Sequence, residues 1–494
     1  MSRHAARSAR RAPILAVLIA VLVAGGLLDR GSRPAAPVPA GAPAVQPMPI
    51  AAPAAALSSS WFCAGASDGG SPSLPGTVVI ANGGARPVSA SVTVVGASSK
   101  PTTTTVPVAA YRSATVAEKL GGGGQWVGAI VTVDGGSVGV SQVTDGPLGR
   151  TTTPCATSGS QHWYFPAGQT RVNADEAIIL LNPYPTDSIV DLSFTTDQGI
   201  EQPQDFQGLD VPRGGLVAVD IGSRLRRRAS IATTVSARSG SVVAYQVGWV
   251  TPPPANAPLV GTKAASAPLA DPALPSPGDT VTLGAPSAGT SWVWPDGWAG
   301  NGLDERYVIY NPGPRPADVK LSVGLQQGSA EPFSVKVEPY SVVPVVSEQS
   351  ARIPAGVAHS ATLTSENGVP VVAARTVTAV NASGPVGVHS GVGQLLGGRL
   401  TAPDWLIPAP MTDASHHGHV VIYNPGTATV TAQLSGPGIS GSQAVTVPAA
   451  GRADVQLGPG VSGPLGVRAT RPVYTEYDLY GPAGLSLSFG IPLS

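Results

Sequence analysis

Two acidic pairs, Asp175-Glu176 and Asp304-Glu305, come nearest to catalytic chemistry in this chain. Two carboxyls flanking a glycosidic bond would hydrolyse it. Yet the pairs stand seven and six residues ahead of Asn182 and of Asn311 alike. Active sites are not normally duplicated with a packing unit, so a shared structural role is simpler, such as bonding the backbone of the segment before the strand. His416, His417 and His419, with Asp413 nearby, could offer imidazoles to Zn²⁺ or Ni²⁺. A structural site wants four ligands fixed in space, and no second ligand group stands beside them, so no metal is expected. Arg224, Arg226, Arg227 and Arg228 form the dense basic run outside the N-terminus. They could dock an anionic wall polymer or lipid headgroups, although charge runs usually sit in water. Gly121 to Gly124 precede no helix pattern, so they read as a hairpin loop rather than a phosphate cradle. There is no HExxH, Walker A, paired CxxC or kinase set. No enzyme and no cofactor is expected.

The elements that would position these residues are repeated. Four apolar runs end in Asn followed by Pro or Gly, at Asn82, Asn182, Asn311 and Asn424. Aligned on the Asn, the positions two before hold Ile80, Leu180, Ile309 and Ile422, and those four before hold Val78, Ile178, Tyr307 and Val420. Eight after come Ala90, Val190, Val319 and Ala432; ten after come Val92, Leu192, Leu321 and Leu434. The run before the Asn is apolar at odd and even positions, which predicts a strand covered on both faces. The run after it alternates, as in Val190-Asp191-Leu192-Ser193-Phe194, which predicts a half-buried antiparallel strand. Asn-Pro between them suits a turn. A Pro step follows each Asn (Val106-Pro107, Val211-Pro212, Glu338-Pro339, Val447-Pro448). Each copy is then expected to close with a hairpin: Ala129 to Val143, Thr233 to Val247, Ala361 to Val377 and Gly466 to Leu479.

A Trp opens every copy. Trp163, Trp292 and Trp405 lie 19 residues before their Asn, and Trp61 lies 21 before Asn82. They read as core anchors, since large aromatics dominate burial; a row of exposed sugar-stacking platforms is the functional alternative. Units of about 100 residues with six or seven strands fit β-sandwiches, because a propeller blade needs only ~40–50.

The 494 residues suffice for three to four domains. Charge is balanced at 29 each way, which argues against a nucleic-acid partner. With 61 glycines, 50 prolines and 12% charged residues, the composition fits all-β structure with many turns. Arg3, Arg7, Arg10 and Arg11 precede an uncharged stretch from Pro13 to Leu28, read as a signal anchor that exports the remainder of the chain. A cleaved signal peptide, and so a secreted protein, is the alternative. The expected order is a cytoplasmic tail (1–12), a transmembrane anchor (13–28), a Pro/Ala linker (29–57), repeats at 58–158 and 159–250, a Pro-rich linker (251–285), and repeats at 286–397 and 398–494. Cys63 and Cys155, the two cysteines, bracket the first repeat and read as one disulfide of an exported chain.

The openings Trp61-Phe62-Cys63-Ala64-Gly65 and Trp163-Tyr164-Phe165-Pro166-Ala167-Gly168, the step Pro154-Cys155 and the strand Glu176 to Pro183 resemble a family of actinobacterial envelope proteins grouped as a domain of unknown function. In the later half only the Trp and a Pro of that opening remain. The resemblance implies a secreted or anchored protein of repeated β domains, and no functional residue carries over. The expectation is a non-enzymatic, membrane-anchored extracytoplasmic interaction protein whose partner is an envelope protein or wall polymer. A wall-glycan binding module accessory to envelope assembly is the alternative, and a glycan hydrolase comes third.

Overall fold

The computed structural model describes residues 46–97, 100–121, 125–252, 276–326, 328–347, 352–380, 390–482 and 484–494. The expected tail and anchor, most of the first linker and residues 253–275 of the second lie outside them. Among the described residues the chain is all-β; its one helical element is the 3-10 turn Gln204–Phe206, and every ladder between strands is antiparallel.

The Asn-ended strands are Gly76–Asn82, Ala174–Asn182, Leu303–Asn311 and His417–Asn424. Each lies inside a sheet of the same order. Gly76–Asn82 has Ser113–Ala117 on one side and Val138–Gly146 on the other, with Gly149–Pro154 beyond. The sequence Gly215–Asp220, Ala174–Asn182, Val243–Val250, Gly278–Leu283 repeats it. So do Ser341–Val346, Leu303–Asn311, Val372–Val380, Ser390–Leu396 and Gly451–Gln456, His417–Asn424, Leu465–Gly481, Gly484–Phe489. The Trp residues belong to the facing sheets, paired with Val131, Val235, Leu363 and Val467. All the aligned apolar positions around each Asn are buried, as two-faced coverage requires.

The Asn does more than shape its turn. Asn311 Oδ1 accepts from Gly313 N (3.0 Å), while its Nδ2 donates to Arg315 O (2.7 Å) and, far along the chain, to Val337 O (3.1 Å). Asn82 reaches Val108 O, Asn182 reaches Val211 O and Asn424 reaches Val447 O, each with the same two local bonds. All four side chains are buried, so the amide is the group that satisfies these carbonyls. The indoles act similarly. Trp163, Trp292 and Trp405 donate to Val242 O, Val371 O and Val473 O. Trp61, displaced by two residues in sequence, finds no acceptor among the described residues, and the Cys63–Cys155 disulfide lies next to it instead.

Three expectations need correction. The closing hairpins are not hairpins: Gln125–Val133 pairs within the Trp sheet and Val138–Gly146 within the Asn sheet, so the turn crosses between layers. The pairs Ile231–Ser239 with Val243–Val250 and His359–Ser365 with Val372–Val380 do the same. In the last stretch Leu465–Gly481 passes through both layers without a turn, Arg471-Pro472 included. Alternation and a Gly turn are common to both arrangements, which is why sequence cannot separate them. Second, Gly278–Leu283 is a sheet strand inside the stretch 251–285 read as linker. Third, residues 46–57 of the first linker are partly docked. Ala51 N donates to Pro492 O, Ala52 O accepts from Ser137 N, and Ala51 bridges to Leu493.

Each Asn sheet ends in a strand that six or seven strands per copy left uncounted. These four strands (Gly149–Pro154, Gly278–Leu283, Ser390–Leu396 and Gly484–Phe489) touch one another in turn around one axis. Thr153 Oγ1 donates to Val281 O (2.6 Å), and Thr152 N donates to Ser486 Oγ (2.8 Å). The strands meet at glycines. A Cβ on Gly391 would sit 2.8 Å from Gly484 Cα, and one on Gly484 would sit 3.0 Å from Gly149 Cα.

Substitutions at these contacts have distinct expected outcomes. Asn311→Ala leaves three polar groups unpaired and should lower stability by about 2–4 kcal/mol, read as a fall in denaturant midpoint. Gly391→Ala, which collides with backbone at φ +156°, should cost about 1–3 kcal/mol. Gly458→Ala, with nothing within 4 Å of its Cβ, should stay within about 0.5 kcal/mol.

Candidate functional site

The residues singled out for chemistry are mostly engaged in structure. Glu305 is fully buried; its Oε1 accepts from Trp298 N (3.1 Å) in the segment that follows Trp292, and its Oε2 accepts from Ser347 Oγ (2.8 Å) and meets His359 Nε2 (2.7 Å). Glu176 holds the equivalent place against Gly168, and Gln246 Nε2 donates to its Oε2 (2.9 Å). The first stretch has Gly76 six residues before its Asn. Glu118, from elsewhere in the chain, fills the space a side chain there would take, and accepts from Gln142 Nε2 (2.8 Å). Gln142 and Gln246 occupy the same register, opposite Val78 and Ile178. Asp304 is held by Arg306 (3.0 Å to Nε).

Trp61, Trp163, Trp292 and Trp405 are all buried, so they present no stacking platforms. Nor do the four arginines make one basic patch. Arg228 makes a bidentate pair with Glu201 (2.6 and 2.8 Å) and the exposed Arg224 pairs with Asp205, while Arg226 and Arg227 are exposed as well. Among the histidines, His416 bonds Asp413 and His419 bonds Asp454, and no three metal-ligating side chains converge among the described residues.

Sequence reasoning missed what lies where successive stretches meet. Ala409 clusters with Val79 and Val143, and Ala167 clusters with Val308 and Ala374. The segment after one Trp thus packs on the next Asn strand, and the last packs on the first. Between the third and fourth stretches this junction is charged. Arg375 Nη2 donates to Glu476 Oε1 (2.7 Å) and lies 3.5 Å from Asp478 Oδ2, while Arg452 Nη2 donates to Asp296 Oδ1 (2.6 Å). Tyr480 OH adds a bond to Asp296. Arg375, Arg452 and His359 face Asp296, Glu305, Glu476 and Asp478. Burial pushes Asp478 well above the usual carboxylate range, reinforced by Glu476, and pushes Glu476 itself up to about 7 against the pull of Arg375. Burial is the largest influence on Glu305 and His359 and opposes ionisation of both, but their mutual charge and hydrogen bond, with the neighbouring charges and bonds, together outweigh it, lowering the acid and raising the base.

Between the second and third stretches the corresponding space is an open cleft of about 210 Å³. Its walls carry Glu176, Gln246 and Trp249 from one side and Arg306, Thr376 and Gln394 from the other. Gln394 Nε2 donates to Gln246 Oε1 (2.9 Å), whose Nε2 donates to Glu176, so a relay of amides crosses the junction to a buried carboxyl. Burial pushes Glu176 up to about 8, as it does Glu118, and Asp279 up to about 7. Asp175, the neighbour of Glu176, turns the other way toward Gly222, as strand periodicity demands.

Comparison with known proteins adds a family and little else. Residues 128–392 match a family described as "Family of unknown function (DUF5719)". No curated protein matches the chain. A solved Thermotoga maritima protein, described as Thermotoga maritima 1070, is 21% identical over 23% of this chain and 97% of its own, with a TM-score of 0.20. A Streptomyces avermitilis alpha-L-rhamnosidase complexed with L-rhamnose is 9% identical over 81% of this chain and 54% of its own, with a TM-score of 0.11.

The buried acids set a pH dependence. Glu118 and Glu176 ionise at about 8 when folded and near 4.5 when unfolded. The folded state therefore holds more protons between those values, and stability falls as pH rises through that window. His359, raised by Glu305, adds stability below its ordinary value that is lost as pH rises through the raised one. The lowered Glu305 loses its contribution only as pH falls. Stability should peak on the acid side of neutral. Glu176→Gln should flatten the decline from pH 5 to 8 by up to about 1.4 kcal/mol per pH unit, measured by denaturant titration across pH.

Proposed function

We propose, for a chain that belongs to the DUF5719 family of unknown function, that it is a non-enzymatic interaction protein exported to the cell envelope and held at the membrane by residues 13–28. Four copies of one β-sandwich unit, 58–158, 159–250, 286–397 and 398–494, form its scaffold. The observation that carries this reading is the structural use of the residues singled out for chemistry: the four indoles in cores, Glu176 and Glu305 against the segments after their Trp, His416 and His419 on aspartates. Four equivalent buried Asn clamps support the unit count. The Cys63–Cys155 disulfide supports an oxidising compartment. Placement in an actinobacterial envelope rests on the resemblance in the Trp openings.

A hydrolase is less well supported. Asp175 and Glu176 share the cleft but point to opposite faces of one strand, so they do not flank a bond. The glycan-binding alternative loses its Trp row, and the cleft between the second and third units is what favours it instead.

Fractionation of producing cells tests the proposal. The chain is expected in the membrane fraction at full mass, with both cysteines refractory to thiol labelling until reduced. A soluble product beginning near residue 40 would overturn the anchor, and freely labelled cysteines in the cytoplasm would overturn export.

A further inference from the structure

Each Asn sheet turns one face to the stretch before it, and next to the Asn that face carries a row of three residues. The row is Leu216, Leu181 and Val243 in the second stretch, Val342, Tyr310 and Val372 in the third, and Arg452, Tyr423 and Tyr474 in the fourth. Each row reaches its predecessor. A Cβ on Gly128 would lie 3.2 Å from Leu216, Tyr310 OH bonds Thr234 Oγ1 (2.9 Å), and Arg452 bonds Asp296. In the first stretch the row is Ser113, Ala81 and Gly139, all small. The fourth stretch settles on the Gly139 end, where Leu406 and Ile491 each lie 3.1 Å from the place of a Cβ. At the Ser113 end it does not follow. Gly215–Asp220 lies against Val88–Gly96 and Gln125–Val133, Ser341–Val346 against Ser188–Thr196, and Gly451–Gln456 against His359–Ser365. Among the described residues, Ser113–Ala117 makes no comparable approach to Val430–Ser435 or Leu465–Gly481. A groove of about 730 Å³ opens beside it, lined by Tyr111 and Arg112 from the first stretch and by Gln433, Ser435 and Arg468 from the fourth.

The lining departs from the repeat in a second way. Arg112 stands across the ladder from Asn82, whose N donates to Arg112 O (2.9 Å); the other copies have Gly215, Ser341 and Gly451 there. Arg468 lies opposite Asp404, the residue before Trp405, where the other copies place Thr132, Ser236 and Thr364. Both walls therefore bear a guanidinium at a position that holds a small residue elsewhere. Arg468 is 83% exposed and bonds Asp404 through Nε (3.0 Å). Arg112 is exposed, and no carboxylate pairs with its guanidinium among the described residues. Asp404 is the one acid in the lining, so the groove is net positive. Guanidinium forks match carboxylates. Tyr111, 59% exposed, adds an aromatic ring to the wall of the first stretch. The volume falls within the ~300–1,000 Å³ of sites for small ligands. What fills this place at the other junctions is extended chain, through Leu216, Tyr310 and Arg452, so extended chain is the shape that the place accepts.

We propose that this groove takes an extended segment of a partner protein, with a carboxylate side chain between Arg112 and Arg468 and an apolar side chain beside Tyr111. The proposal rests on the reading of an interaction protein and names its partner's chemistry. A random heptapeptide display library is panned against the full-length chain, purified in detergent and held by its N-terminus, and in parallel against Arg112→Gln. Sequences enriched on the native chain alone should carry Asp or Glu beside an apolar residue. The strongest of them, synthesised, should bind with a micromolar dissociation constant that weakens as salt rises. Arg112→Gln and Arg468→Gln should each weaken it about fivefold. Ser113→Leu, which restores bulk where Leu216 supplies it in the second stretch, should weaken it about tenfold with an unchanged melting temperature. The proposal is overturned if no acidic sequence is enriched, if neutral or basic sequences are selected instead, or if oligogalacturonate binds and no peptide does. It is overturned equally if the selected peptide binds Arg112→Gln and a folded Ser113→Leu as it binds the native chain. A chain that selects acidic peptides but is found in the cytoplasm would refute export and leave the groove standing.

Discussion

The close approach of four strands at one axis constrains everything else in this protein. Gly149, Gly391 and Gly484 bring backbone against backbone where no side chain fits, and Gly278 comes equally close to Val392. Strands that near must be extended, aligned and edge-on. That sets the direction in which each Asn sheet leaves the axis, and hence which face it turns to its neighbour. The hydroxyls of Thr153 and Ser486 answer the same demand: both are buried, and the first donates to Val281 O while the second accepts from Thr152 N. A polar hydroxyl at such a place costs little when its partner is fixed, and it specifies the pairing more narrowly than an apolar side chain would.

Much of this architecture is legible in the letters and some is not, for physical reasons. The aligned positions around Asn82, Asn182, Asn311 and Asn424 are core because two-faced burial leaves an unmistakable apolar run. The Trp residues are core for the same reason. The axial strands escape sequence reading because Gly278–Leu283 and Ser390–Leu396 mix Gly, Ser, Thr and Asp with few apolar residues. Their neighbours satisfy them by backbone contact and hydroxyl bonds, which leave no periodic hydrophobic signal. The layer-crossing turns resemble hairpins because a strand's alternation tells which residues are buried, not which sheet it joins. The cleft is invisible for a further reason. Glu176, Gln246 and Gln394 span 218 residues of sequence, and only the packing of two stretches brings them to one relay.

Buried charge is handled in two ways at comparable places. Around Arg375 the charges are paired, and burial is tolerated because every cation has a carboxylate within reach. Around Glu176 and Glu118 burial favours the neutral carboxyl, and an amide donates to its Oε2. Ion pairs without water are costly to assemble and costly to break, which suits a junction that must stay closed. A neutral acid bonded to glutamine is cheaper to build and easier to perturb, which suits a wall facing open space. The difference between the third junction and the second is thus one of rigidity as well as of charge.

The docked residues near Ala51 have a consequence of another kind. Ala51 hydrogen-bonds Pro492 and bridges Leu493, so the first described stretch of chain is clasped to the last. Head-to-tail contacts between like units close into rings or run on as filaments. Here the like units share one polypeptide, and the contact of Ala51 with Pro492 and Leu493 is made within it, whatever the concentration. In an assembly of separate identical subunits, any substitution at a junction would be made at every junction. Tandem linkage frees each from the others, so one can harden into an ion-filled joint while another opens.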